Sequence, residues 1–243
     1  CGPLGVGDRR DLRRVVVLAG GLAGAAIGLA SWDEMLLFSN RVTAGPTEPI
    51  LGLDVGFYLF VLPLLGRAFA LLVVVSLLGV AASVLARLVS MPRGTLPRRV
   101  GPGTRHVGRG SFLLAAVAAG GMLLARYHLL YSQWGVVAGP GWTDAHVRLP
   151  AYGFVAAATL AIGAAPLLPS LARRMRLVLG RGGQRLELGP GATAWVAIAG
   201  VWLLGLVAVP NLVQFLVVEP NEITFEKPFI AHNIEFTRRG FRL

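Results

Sequence analysis

The sequence is short of charge. Only 14% of its 243 residues are Asp, Glu, Lys or Arg, while 55% are hydrophobic. Soluble domains carry about 25% charged residues, so an ordinary soluble domain is excluded and the chain falls in the membrane class. Cysteine is almost missing. Cys1 is the single one, which excludes an internal disulfide and any Cys/His metal spacing. Catalytic signatures are missing too: there is no G-x-S-x-G, no H-E-x-x-H, no Walker loop and no Rossmann fingerprint after a strand. GRGGQ at 180–184 is glycine-rich but sits in a basic loop without a preceding strand. No catalytic residue, metal site or cofactor is therefore expected, and the chain reads as non-enzymatic. His128 is the one histidine inside an apolar segment. It is the candidate ligand for a haem or pigment, with an interfacial hydrogen bond as its alternative role.

A net charge of +11 would point to nucleic acid in a soluble protein. Here the basic residues are nearly all Arg and lie in short clusters between apolar runs. The most basic stretch, MPRGTLPRRVGPGTRHVGRG at 91–110, has no aromatic ring on which a base would stack. No nucleic-acid partner is expected.

What is present is apolar length. A helix needs about 20 apolar residues to cross a bilayer, and five segments qualify, near 14–38, 57–89, 111–131, 151–172 and 192–218. None alternates as barrel strands would. The fold class is all-α: a polytopic transmembrane helix bundle of about five spans over residues 1–218. Residues 219–243 then form an extracytoplasmic neck, or the start of an outer domain. The loops set the direction. Four Arg precede the first span, six lie in 87–110 and five in 173–191, fifteen in all, whereas 39–56 and 132–150 carry one each. Positive loops stay cytoplasmic. The N-terminus is expected inside and the C-terminus outside a bacterial inner membrane, with anionic lipid headgroups against the cytoplasmic arginines. The chain starts at Cys rather than Met, which reads as removal of preceding residues. A lipid-modified Cys1 is the other reading, opposed by Arg9, Arg10, Arg13 and Arg14 directly after it.

Gly20, Gly24 and Gly28 recur every four residues and share a helix face on which another backbone can approach. Pro63, Pro166 and Pro210 lie inside spans, where each removes a helix hydrogen bond and favours a kink. Charges inside spans are functional suspects. Arg67 is the deepest, roughly 15 Å from Phe57 at about 1.5 Å per residue, and no partner can be named for it. Arg126, Asp33 and Glu34 lie near the outer level, as does Asp54, and Arg126 is expected to pair with one of the three acids. Asn211 and Gln214 add polarity to the fifth span. Such a layer reads as interhelical hydrogen bonds tying the outer loops down, or as a polar route opening outward.

Several stretches resemble a known family. PTEPILGLDVGFYLFVLP at 46–63 resembles the signature DP-x-FG-x-D-x-x-FY-x-F-x-LP, with Glu48 where that pattern has Asp. RYHLLYS at 126–132 and WTDAHVRLPA at 142–151 resemble RY-x-LLYS and YTD-x-x-x-x-LPA. VQFLVVEPNEITFEKPFIAHNIEFTRRGF at 213–241 resembles a VQ…PNE…E-x-PYI…NI…TR block, with Phe229 and Phe241 in place of Tyr. In this order, from about residue 13 to the end, they are similar to uncharacterised protein family 0182. The resemblance implies about seven membrane helices followed by a large extracytoplasmic domain, of which this chain would lack the first one or two helices and most of the outer domain. It implies no catalytic residues. Pro228 is expected in the first turn of a neck helix, with Ile230, Ile234 and Phe241 on one face. The function expected is a membrane anchor or scaffold, or an accessory subunit among other membrane proteins. A transporter or channel component is the alternative.

Overall fold

The computed structural model of the chain describes residues 6–90, 104–135, 138–175, 177–179 and 186–242. Cys1, the 180–184 stretch and Arg93, Arg98, Arg99, Arg176, Arg181 and Arg185 lie outside the described residues. Among the described residues, five helical stretches are long and apolar enough to cross a membrane: Arg13–Ala30, Phe57–Ala82, Gly108–Tyr131, Asp144–Leu167 and the run Pro190–Phe241. At most 22% of any span's most apolar window is buried, so the apolar surface faces outward, as it must where the solvent is lipid.

The helices are α1 (Val6–Ala30), α2 (Trp32–Ser39), α3 (Leu62–Ser90), α4 (Thr104–His128), α5 (Leu149–Ala164), α6 (Pro169–Arg174), α7 (Pro190–Trp202), α8 (Val209–Val213) and α9 (Glu222–Phe241). The first apolar segment breaks at Ser31. Its Oγ donates to the Ile27 carbonyl at 2.6 Å, a back-bond that bends helices, and Asp33 and Glu34 then occupy the first turn of α2, where negative charge suits the helix dipole. Between α6 and α7 a short antiparallel hairpin pairs β1 (Leu177–Leu179) with β2 (Leu186–Leu188).

The tightest packing joins α4, α5 and α7 through small residues. Ala115, Ala156 and Ala194 are fully buried, and a methyl at Gly163 would overlap that of Ala115. Two indoles then fasten α7 in place. Trp195 Nε1 donates to Ser111 Oγ at 3.0 Å and Trp202 Nε1 to Thr159 Oγ1 at 2.9 Å. α3 packs on α4, and α1 packs mainly on α3. The glycine face of α1 is mostly unused. A Cβ at Gly24 would lie 4.0 Å from Leu71, and at Gly20 and Gly28 it would meet nothing within 4 Å.

Four wide π-type turns interrupt the spans, at Phe57–Val61, Asp144–Arg148, Leu203–Ala208 and Gln214–Val218. Each ends two residues before a proline: Pro63, Pro150, Pro210 and Pro220. Proline has no N–H for the carbonyl four residues back, and its ring crowds that carbonyl. Widening the preceding turn passes such carbonyls to donors one residue further on. Pro166 behaves differently: it sits in a 3-10 turn, Ala165–Leu167, that ends α5.

Residues 40–56, 129–148 and 214–242 converge on one end of the bundle, the neck end; Arg13, Arg14, Arg109, Arg173 and Arg174 lie toward the other, the basic end. α9 begins at Glu222, so Pro228 lies inside it rather than in its first turn. Its inward face is also shifted from the expected one. Phe229, Asn233, Phe236 and Gly240 line a groove of about 420 Å³ facing the loops, and Phe241 borders its open end, while Ile234 is exposed away from it. Glu226 and Asn233, both bonded to the loop 138–142, select that face.

Candidate functional site

The neck end is organised by four carboxylates, each of which collects loop N–H groups. In the loop after α2, Asp54 accepts from Ala44 N at 3.0 Å, Gly45 N at 2.9 Å and Gly56 N at 2.7 Å. These amides, Ala44's first, hold its carboxyl below the usual aspartate range. The turn relies on glycine. Gly45 and Gly52 take positive φ of 85° and 68°, a region that L side chains rarely adopt. Inside it Glu48, 3% exposed, accepts from Ile50 N and Leu51 N, both at 2.6 Å, and from Tyr58 Oη at 3.4 Å.

The loop between α4 and α5 has the same design. Asp144, 1% exposed, accepts from Arg148 Nη1 at 2.7 Å and from Gly141 N at 3.4 Å. The Arg148 guanidinium lies 4.7 Å from the centroid of the Trp134 ring. Thr143 donates to Gln214 across to the fifth span. Arg126 lies between the two acid centres, in the lining of a cavity of about 10 Å³ shared with Glu48 and Asp144, and its buried Nε has no protein partner. That volume is about the size of one water.

The neck helix locks onto this layer. Glu226, 1% exposed, accepts from Trp142 N at 3.0 Å. Its carboxylate sits so close to Gly141 that a Cβ there would lie 2.9 Å from it; any larger residue would displace it. Asn233 Nδ2 donates to the Ala138 carbonyl at 2.6 Å. The Trp142 ring stacks on His146 at 4.7 Å and meets Phe225 at 4.9 Å. Two chain segments distant in sequence are thus bonded into one layer, and the 40–56 loop adjoins it through the small cavity that Glu48 shares with Arg126 and Asp144. A buried carboxylate is costly unless its oxygens are satisfied, which explains the backbone N–H groups around Glu48; Glu226 keeps one buried oxygen without a protein partner.

The residues singled out in the sequence are partly brought together. Arg67 finds a partner: its Nε lies 2.8 Å from Glu34 Oε1, between α3 and α2. Arg126 pairs with none of Asp33, Glu34 and Asp54. Glu34 is taken by Arg67 and Asp54 by amides, while Asp33 borders a shallow depression with Asn40 and Phe60. Gln214 joins the layer, whereas Asn211 only returns a bond to the Val207 carbonyl of its own helix at 2.7 Å. His128 Nδ1 is 3.2 Å from the Leu124 carbonyl. Among the described residues no group of three or more His, Cys, Asp or Glu could hold a metal ion.

Glu48, Asp144 and Glu226 were visible in the sequence only as acids on the less basic side. Their signal lay in the stretches PTEPILGLD, WTD and FEKPF, where the acids stand among apolar and turn-forming residues, two in the first stretch and one in each of the others.

Comparison with known proteins converges on the same segments. A UPF0182 protein of Geobacter sp. (strain M21) is 37% identical over 225 residues, covering 89% of this chain and 23% of that relative. One of Synechococcus sp. (strain JA-3-3Ab) is 39% identical over 243 residues, covering 93% of this chain and 27% of the relative. One of Pelobacter propionicus is 34% identical over 221 residues, covering 89% of this chain and 23% of the relative. The chain thus spans about a quarter of the length of the relatives it matches. No solved structure matches it. With the family's sequence profile matching residues 7–243, an interval that contains the whole bundle, all four acid centres and the neck helix, the chain belongs to the uncharacterised protein family UPF0182.

Proposed function

We propose that this chain is a non-enzymatic membrane anchor of a bacterial inner membrane, whose neck end holds α9 in a fixed pose as the base for extracytoplasmic structure. The observation that carries this reading is Glu226: a fully buried carboxylate on the neck helix, bonded to the backbone of a loop 84 residues away in sequence. A neck on a free linker would have no use for such a bond. The greater length of the relatives fits a base that carries more structure. The basic end faces the cytoplasm by its arginines and meets anionic headgroups there. The exposed small-residue face of α1 fits contact with other membrane subunits.

Glu226→Gln tests the anchoring. It keeps the shape, halves the acceptor capacity and removes the charge that strengthens the bond to Trp142 N. Hydrogen exchange of residues 222–241 in detergent should rise about ten-fold, for roughly 1–2 kcal/mol lost, with the exchange of α4 and α5 unchanged. Identical neck exchange in the variant would refute the lock.

A transporter or channel component is the second reading. The Arg67–Glu34 ion pair inside the apolar layer favours it, because charges there mark substrate routes in many membrane proteins. Solute flux in liposomes that is abolished by Arg67→Leu would establish this reading; no flux with the unaltered chain would remove it.

A further inference from the structure

A cavity of about 460 Å³ lies between α3, α4 and the start of α5, and it is open to the surroundings rather than enclosed. Its lining changes character along its length. Gly66, Phe69, Gly121 and Leu124 make an apolar inner part; His128, Ser132, Arg148 and Tyr152 make a polar part at the neck end. From Gly121 to Ser132 the lining helix advances roughly 16 Å at about 1.5 Å per residue. The hydrocarbon of one leaflet is about 15 Å deep, half of a ~30 Å core. Glycine shapes the space: a Cβ at Gly66 would meet no atom within 4 Å, and one at Gly121 would meet the Phe69 ring at 2.9 Å, so the absent side chain lets that ring pack against α4 as the cavity's wall.

We propose that this cavity is a binding site for a single phospholipid of the leaflet at the neck end, one acyl chain lying along Leu124 toward Phe69 and the phosphate at Arg148. The polar part has donors to spare. Arg148 commits Nη1 to Asp144 and rests its guanidinium on Trp134, and a guanidinium has five N–H groups. The Tyr152 hydroxyl has no protein partner among the described residues. Arg148 thereby serves twice, tying Asp144 into the loop layer and presenting its remaining N–H groups to a headgroup. An acyl chain supplies what the inner part asks for, an apolar filler of one-leaflet length, and its phosphate supplies what the outer part asks for, an acceptor. The site rests on the membrane reading above.

The test is photolabelling in vesicles of phosphatidylethanolamine and phosphatidylglycerol containing a trace of phosphatidylglycerol with a diazirine midway along one acyl chain. The expected label is concentrated on Phe69 and on Gly121–Leu124. Gly66→Phe, which fills the cavity, should cut it at least five-fold, while Gly20→Phe, which adds the same bulk on α1, should leave it unchanged. Label spread along α1, whose apolar window has no buried residue, would overturn the proposal while leaving the membrane reading intact. So would label on α4 that Gly66→Phe does not reduce. A chain that stays out of the vesicles and takes no label would overturn both.

Discussion

At the scale of single residues, the chain repeats one device, a carboxylate gathering backbone N–H groups. Its pH dependence follows in sign. Asp54 is held below its ordinary value, so the folded turn prefers the ionised form. The stability this adds is complete above the unfolded pKa of about 3.9 and is lost as pH falls through the lower folded value. Pepsin nicking of the 40–56 loop should therefore rise as pH drops below about 4, while Asp54→Asn should be nicked alike across the acid range. The ion pair of Arg67 and Glu34 lies within an apolar span, where a charge that loses its partner is costly. Glu34 already has one buried oxygen without a partner, so Arg67→Leu leaves the acid without its counter-charge and should lower stability. Adding Glu34→Leu should recover most of that in a denaturant titration. A single variant as stable as the parent would show the pair to be idle. The sequence marked Arg67 as anomalous but named no partner, because Glu34 lies 33 positions away and only the break at Ser31 turns α2 toward α3. It also offered Arg126 the wrong acids. Nearness to one membrane level is legible from helix rise; which side chain faces which is not.

At the scale of elements, proline carries more information than kinks. Reading Pro63, Pro166 and Pro210 as kink sites missed Pro150 and Pro220, and it missed the common response, a widened turn ending two residues earlier. Each widened turn rotates the helix beyond it. Pro210 is fully buried, and Gln214 lies just past it, facing Thr143. Replacing Pro210 by Ala removes the reason for the wide turn at Leu203–Ala208, so the helix relaxes toward α geometry and Gln214 turns by about 100°. A Thr143→Cys, Gln214→Cys pair should be bridged by a short bifunctional thiol reagent in the parent and should resist it once Pro210→Ala is added. Equal bridging in both would disprove the link between proline and turn. Glycine was legible in kind, and its regular spacing on α1 was a poor guide to where helices meet. The regular Gly20–Gly24–Gly28 spacing makes one contact at 4.0 Å. Gly163, alone among alanines, allows the closest approach of α4 and α5. Spacing shows which helix face is small, and only the neighbouring helix decides whether that face is used.

At the scale of the molecule, five apolar helices form a bundle with unlike ends, one basic and one sealed by carboxylates. Apolar length and low charge were enough to read the bundle, since a bilayer leaves helices few alternatives. The change in composition after Val218 was legible, and the docking of α9 was not. Its burial depends on Gly141 leaving room for Glu226 and on Trp142 filling the gap between His146 and Phe225. No periodicity encodes such pairings across 84 residues. The central claim is that the two ends face opposite sides of the membrane. It is tested most directly by replacing Cys1 with Ser and introducing one cysteine at Glu235, exposed on the neck helix, or at Arg173, exposed at the basic end. A membrane-impermeant maleimide is then applied to intact spheroplasts. The account predicts labelling at 235 in intact spheroplasts and at 173 only after lysis; the reverse pattern, or both positions labelled without lysis, would contradict it.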